Sequence, residues 1–226
     1  MKCENLHRKG SKTMIGIVDY GMGNLFSVSK ALERLDTPYF ISQYKDGLME
    51  ADALLVPGVG SFRDAMEALN RTGLTQTIRD FAATGKPVLG ICLGMQLLFE
   101  ESTENGLTKG LSLLPGKVER FSGKTAQGES YKVPHMGWNK LRFTGSSPLL
   151  TSLEEDYVYF VHSYYVKAAD PEVLVAVGDY YDVEVPAIVG RGNIFGMQFH
   201  PEKSSEMGMG LLRNFTELAA ERKAKL

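Results

Sequence analysis

Cys92 stands between Gly90 and Gly94 in "KPVLGICLGMQ", residues 86–96, where a short apolar run gives way to a helical pattern. Gly90-Ile91-Cys92-Leu93-Gly94 has the G-x-nucleophile-x-G form of a strand-to-helix elbow. Such a turn forces its central residue into a strained backbone conformation, and Cβ atoms on the flanking residues would collide. Two chemical consequences follow. The sulfur is lifted out of the sheet at a helix N-terminus, whose dipole favours thiolate over thiol. The Leu93 amide is left free to bind an oxyanion.

A cysteine nucleophile needs a base, and the chain has four histidines. His7 lies in a polar leader. His200 closes the apolar run "NIFGMQF" and is followed by Pro201 and Glu202. In extended chain, residues two apart point the same way, so Glu202 can take one imidazole N–H and leave the other nitrogen for the sulfur. The pattern predicts a Cys92, His200, Glu202 triad. His162 is the rival base, but no carboxylate follows it two residues on. "PGVG", Pro57 to Gly60, follows an apolar run and precedes a helical one, so Gly58, Val59 and Gly60 are candidates for the second oxyanion donor and for close approach of substrate to backbone. Gln96, four residues after Cys92, falls on the same helix face.

The elements that must position these groups alternate. "MIGIVDY" precedes "NLFSVSKALERL"; "ADALLVP" precedes "SFRDAMEALNRTGLTQTIRDFAATG"; "KPVLGI" precedes "LGMQLLFEES". Strand-length apolar runs followed by amphipathic runs predict an α/β fold, a three-layer αβα arrangement on a mostly parallel central sheet. Asn24 and Ser61 are placed to cap helices, and Gly85 with Pro87 to end one. From about residue 112 the texture changes to short runs with Gly, Ser and Pro turns, which predicts mixed or antiparallel strands added in the second half, then a helix after Ser205. In "YVYFVHSYY", alternation sends Tyr159, Val161 and Ser163 to one face and Phe160, His162 and Tyr164 to the other. Residues 1–13 read as a polar leader, and residues 14–226 as a single domain. In open α/β sheets, ligands collect at the carboxyl ends of the strands, where Cys92 is expected.

Composition narrows the partners. With 226 residues, 43% hydrophobic and 23% charged, and a formal net charge of −2, the chain has no basic footprint for nucleic acid or an anionic membrane surface. No apolar stretch approaches membrane-span length, and the expected compartment is the cytoplasm. Two cysteines far apart, Cys3 and Cys92, predict a free thiol rather than a disulfide framework. "GMGNLF" is not a dinucleotide fingerprint, because Phe26 stands where the third glycine is needed.

"PGVGSF", "GICLGMQLLFE" and "FHPEKSS", in this order, resemble the class I, triad-type glutamine amidotransferases, and "PHMGWN" and "VHSYYV" resemble the glutaminase subunits of imidazole glycerol phosphate synthase. The resemblance runs from about Met14 to the C-terminal helix. It implies hydrolysis of the glutamine side-chain amide, with no cofactor and no metal, and transfer of ammonia to a (β/α)8-barrel cyclase subunit in a heterodimer of histidine biosynthesis. It implies that Gln96 and the stretch His162, Ser163 and Tyr164 hold substrate, and that Asn24, His135, Trp138, Tyr159 and Lys203 face the cyclase or the ammonia route. Other readings remain at this point: the glutaminase of a synthase for anthranilate, pyridoxal phosphate or guanylate; a cysteine peptidase or esterase on a similar sheet; or a binding module without chemistry.

Overall fold

The computed structural model describes residues 12–225. In chain order the elements are β1 (Ile15–Val18), α1 (Leu25–Arg34), β2 (Tyr39–Ser42), α2 (Lys45–Met49), β3 (Ala53–Gly58), α3 (Phe62–Thr72), α4 (Leu74–Ala83), β4 (Val88–Cys92) and α5 (Leu93–Leu97). Then follow β5 (Glu101–Ser102), β6 (Thr108–Lys109), β7 (Gly116–Arg120), β8 (His135–Phe143), β9 (Tyr157–His162), β10 (Tyr164–Ala168), β11 (Leu174–Tyr180), β12 (Val183–Arg191), β13 (Ile194–Met197) and α6 (Ser205–Lys223). Most of the expected leader, with Cys3 and His7, lies outside the described residues.

Nine strands form one sheet in the order β2-β1-β3-β4-β13-β12-β11-β8-β9. From β2 to β13 every neighbour is parallel, and from β13 to β9 every neighbour is antiparallel. β1, β3 and β4 are buried along their whole length, which is why their sequences are unbroken apolar runs. On one face, Val28 and Leu32 of α1 and Leu211, Leu212 and Phe215 of α6 pack on Ile15, Ile17, Leu55 and Ile91. On the other, Leu48, Phe62, Leu69, Ile78 and Phe81 pack on Leu54, Val56 and Val88. The expected αβα layering results. A second sheet, β10-β7-β5-β6, joins the latter layer through Val118 and Val166.

The caps lie where the sequence puts them: Asn24 Oδ1 accepts from the Ser27 amide at 3.1 Å, and Ser61 Oγ from the Asp64 amide at 3.3 Å. Four local expectations change. The long run after Ser61 splits into α3 and α4 at Gly73, whose φ of 76° caps the first helix. The run after Cys92 is helical only to Leu97, because the segment at 110–114 takes its carbonyls: Leu111 N–H donates to Leu97 O, and Leu113 and Leu114 N–H to Leu98 O. The "YVYFVHSYYV" run divides at Ser163, whose carbonyl accepts from Phe121 N–H, so β9 pairs with β8 while β10 pairs with β7. Alternation therefore holds from Tyr157 to His162 and does not carry through to Tyr164. Finally, β2 and α2 were not anticipated, since a short edge strand with no wholly buried residue leaves little pattern.

Candidate active site

Cys92 closes β4 at φ 57° and ψ −116°, a conformation costing a non-glycine residue on the order of 1–3 kcal/mol. The flanking glycines are obligatory: a Cβ on Gly94 would sit 1.7 Å from Val56 O, and one on Gly90 would sit 2.4 Å from Gly94 O. The strain makes a prediction. In urea, Cys92→Gly is expected to be about 1–3 kcal/mol more stable than Cys92→Ala, because glycine alone relaxes at this φ. Equal stabilities would mean that the elbow stores no strain. The helix behind Cys92 has only five residues, so the dipole invoked from sequence is short, and activation of the sulfur falls mainly on its charged neighbour.

That neighbour is His200. β13 lies beside β4 with Met197 opposite Ile91, so the segments leaving the two carboxyl ends share one edge of the sheet. His200 Nδ1–H donates to Glu202 Oε1 at 3.0 Å, and the Glu202 side chain is 1% exposed. Ser204 Oγ donates to the His200 carbonyl at 2.7 Å and accepts from the Tyr159 amide at 3.0 Å, tying the histidine's backbone to β9. Burial alone would lower the His200 pKa. The neighbouring Cys92, then the hydrogen bond to Glu202, with the charges of both, outweigh burial and push it up to about 10. An imidazolium set against the sulfur is the arrangement that favours thiolate chemistry.

Cys92 and His200 open on a cleft of about 430 Å³ that Val59, Gly60, Leu93 and Gln96 also line. Gly58 pairs with Cys92 across β3 and β4, and its missing Cβ would lie 2.9 Å from the Gly94 nitrogen, so "PGVG" lies directly against the elbow. Tyr20 braces this loop by donating to Pro57 O at 2.9 Å; burial, then the charge of Cys92, raises its pKa. As the first residue of α5, Leu93 has an amide with no intrahelical partner. Gln96 Nε2 donates to both Tyr164 O at 3.0 Å and Gln198 Oε1 at 2.9 Å, which leaves its Oε1 as the acceptor for a ligand.

His162, Ser163 and Tyr164 line the opposite wall. Both ring nitrogens of His162 are engaged, Nδ1 by Tyr164 O and Nε2 by His135 Nδ1, and burial drives its pKa down to about 3. It therefore lacks the free nitrogen that a rival base requires. Of the residues expected at a partner face, Trp138 is half-exposed and packs edge-on against Tyr159, and Lys203 is exposed. Asn24 is half-buried and caps α1. His135 is a correction: its side chain is fully buried, stacked between Phe160 and Tyr180, because β8 turns odd-numbered His135 inward and sends Met136 out.

Sequence reasoning missed Glu104, Pro134 and Val161, which also line the cleft, and the braces Tyr20 and Gln198. Gln198 alone carried a local signal, standing two residues before His200. Among the described residues, Glu104 is the one carboxylate on the cleft wall, and it caps α3 through the Phe62 amide at 2.7 Å. Among the described residues, no group of three or more His, Cys, Asp or Glu side chains is disposed to hold a metal, and no helix is long and apolar enough to cross a membrane.

A fold of this kind, with a cysteine elbow, a histidine–carboxylate pair from the turn that follows the adjoining strand and a small-molecule cleft beside them, has known counterparts. The family described as "Glutamine amidotransferase class-I" matches residues 16–218, and the chain belongs to it. It is 63% identical over 209 residues to the imidazole glycerol phosphate synthase subunit HisH of Geobacillus kaustophilus (strain HTA426), covering 92% of this chain and 99% of that protein. To the subunit of the same name from Bacillus subtilis (strain 168) it is 58% identical over 212 residues, 94% of this chain and all of that one. Among solved structures, one titled "Crystal structure of glutamine amidotransferase" superposes with a TM-score of 0.71 at 22% identity, covering 91% of this chain and 98% of the other. The "Structure of PurLQS from Thermotoga maritima" gives 0.70 at 22% identity, with 92% and 99% covered. These two show the fold alone.

Proposed function

We infer that the chain is the glutaminase subunit of imidazole glycerol phosphate synthase, acting in histidine biosynthesis. It hydrolyses glutamine to glutamate and ammonia, and its partner uses the ammonia. One observation carries the chemistry: a strained cysteine and a histidine held by a buried carboxylate open together on a cleft of small-molecule size in a member of the class-I glutamine amidotransferase family. Identity of 56–64% to HisH subunits over most of the chain supports the synthase assignment over anthranilate, pyridoxal phosphate or guanylate synthases.

Cys92 Sγ attacks the carboxamide carbon, and the oxygen takes up the electron pair. The amides of Leu93 and of Gly58 or Val59 stabilise that oxyanion. As it collapses, the C–N bond breaks and the His200 proton goes to nitrogen, releasing ammonia and leaving a thioester. His200 then takes a proton from water, whose oxygen attacks the thioester carbon; the C–S bond breaks, and glutamate leaves. Glu202 keeps the ring oriented throughout. Gln96, Gly60 and the wall from His162 to Tyr164 hold the substrate's backbone end. Glu104 faces its α-ammonium, an interaction that the Gln variant loses while keeping an acceptor for the Phe62 amide. Glu104→Gln is expected to raise KM for glutamine roughly tenfold or more, with kcat changed much less; an unchanged KM would remove Glu104 from the substrate site.

The partner is a (β/α)8-barrel cyclase subunit, bound as a heterodimer. Met136, Trp138 and Tyr157 form an exposed apolar strip on the outer face of β8 and β9, beside the cleft-lining Val161, and Asn24 and Lys203 lie on the same carboxyl-end side. The test is glutamate release from glutamine by the chain alone and by the chain mixed with a cyclase subunit and its ribonucleotide ligand. Strong stimulation is expected. Equal release in both would retain the glutaminase and reject the partner; no release in either, with Cys92 untouched by a glutamine-analogue label, would reject the glutaminase.

A further inference from the structure

The Tyr164 carbonyl accepts twice, from His162 Nδ1 at 2.8 Å and from Gln96 Nε2 at 3.0 Å. Through it, the cleft-lining glutamine one turn after Cys92 is joined to a chain of side chains that crosses the fold. His162 Nε2 meets His135 Nδ1 at 3.0 Å, His135 Nε2 meets Asn139 Oδ1 at 2.9 Å, and Asn139 Nδ2 donates to Asp179 O at 2.8 Å. We propose that His135 and Asn139 are positioning residues for glutamine: they lock the His162 ring in one tautomer, and thereby fix the Tyr164 carbonyl and the Gln96 amide on the cleft wall. The proposal rests on the glutaminase reading above.

A proton count gives the tautomer. The chain ends on a carbonyl at each side, and carbonyls only accept. Tyr164 O requires the hydrogen of His162 on Nδ1, so Nε2 of a neutral His162 must accept. That places the hydrogen of His135 on Nδ1 as well. The Nε2 lone pair of His135 then faces Asn139 Oδ1, another acceptor, and the chain is one proton short at this link. An imidazolium at His135 would supply the proton, but burial lowers the pKa of both rings. The shortage is instead relieved at the outer end. Exchanging the Asn139 amide's O and N, which the observed contacts to His135 Nε2 and Asp179 O place the other way round, would give NH2 to His135 and pass the shortage to the Oδ1–Asp179 O contact, where Asn139 is half-buried, Asp179 is exposed and water can bridge the two oxygens. The inner links, which reach the cleft, stay fully paired. Phe160 and Tyr180 clamp His135 from both faces, with centroids at 4.7 and 4.0 Å, so the ring cannot tip out of the chain.

Long-range ¹H–¹⁵N correlation of the imidazoles reads the tautomers directly. At neutral pH, both His135 and His162 are expected to carry their hydrogen on Nδ1, and finding His162 protonated on Nε2 would overturn the proposal. The kinetic arm uses His135→Phe, which keeps both aromatic stacks and removes the donor. Measured with the cyclase present, it is expected to raise KM for glutamine about tenfold, with kcat altered less than about threefold and the melting temperature held within a few degrees. If instead KM is unchanged, or the melting temperature and kcat fall together, the residue is structural only and the proposal fails. Should His135→Phe not fold, Asn139→Ala, which touches the chain from its half-buried end, decides by the same KM readout, with a rise of about threefold expected. A wild-type protein releasing no glutamate would sink the glutaminase reading itself, an outcome distinct from a working wild type whose variants keep its KM.

Discussion

Cys92→Ala, mixed with the cyclase subunit and its ribonucleotide substrate, is expected to make almost no imidazole glycerol phosphate from glutamine and to make it from added ammonium at the wild-type rate. The glutamine-dependent rate is expected to fall by roughly 10⁴ or more, since no other group at the elbow replaces the sulfur as nucleophile, and what survives comes from the oxyanion donors and binding alone. Ammonium bypasses the loss because synthesis takes place on the partner. The substitution removes one atom from a residue that is only 8% exposed, without moving the strained backbone. Docking should therefore persist, and co-purification with the cyclase is the control. Loss of both activities together with loss of co-purification would mean that Cys92 shapes the fold or the interface rather than attacking the substrate.

Glu202→Gln should cut kcat for glutamine hydrolysis by roughly 10²–10⁴ and move the alkaline limb of the pH profile toward lower pH. The direction follows from the proton on His200. An imidazole in the unfolded chain titrates near 6.5, whereas the folded His200 is held up to about 10. The folded state thus binds this proton more tightly. Its contribution to stability is complete below about pH 6.5 and is lost as pH rises toward 10. The substituted carboxamide would keep an oxygen for the Nδ1 hydrogen bond and lose the charge, so one of the causes raising the pKa disappears. The second carboxylate oxygen of Glu202, Oε2, has no hydrogen-bond partner among the described residues, so nothing else is disturbed when an NH2 replaces it beyond the cost of an unpaired buried donor. Activity and urea stability measured from pH 6 to 10 on both proteins check this; superimposable profiles would show that Glu202 does not act on the ring.

The parts of the site legible in the sequence are those whose geometry is local. Glycines at 90 and 94 announce a turn that admits no Cβ, and His200-Pro201-Glu202 sets two side chains together through its own backbone. The parallel half of the sheet was legible for a related reason, since burial on both faces writes unbroken apolar runs. Glu104 was not legible, because it reaches the cleft from the turn after β5 and its acidic neighbourhood looks like any solvated loop. His135 was misjudged because "PHMGWN" gives no sign of which face β8 turns inward until its pairing with β9 is known. The early end of α5 was not legible for a similar reason: Leu97, Leu98 and Phe99 suit a helix, but their carbonyls are taken by residues 111–114, a competition that single-sequence periodicity does not register.

The strand that brings His200 to Cys92 is inserted between β4 and β12 and is the last of the described strands in chain order. A nascent chain that has already formed β1 to β4 carries its cysteine on an open sheet edge, with neither imidazole nor carboxylate beside it. It has no means of splitting glutamine, and its unpaired, apolar β4 edge is the segment most in need of protection from other chains. The strand that closes the gap between β4 and β12 is also the one that leads to the base for the nucleophile. A chain truncated before β13 is therefore expected to self-associate through its open edge and to release no ammonia from glutamine.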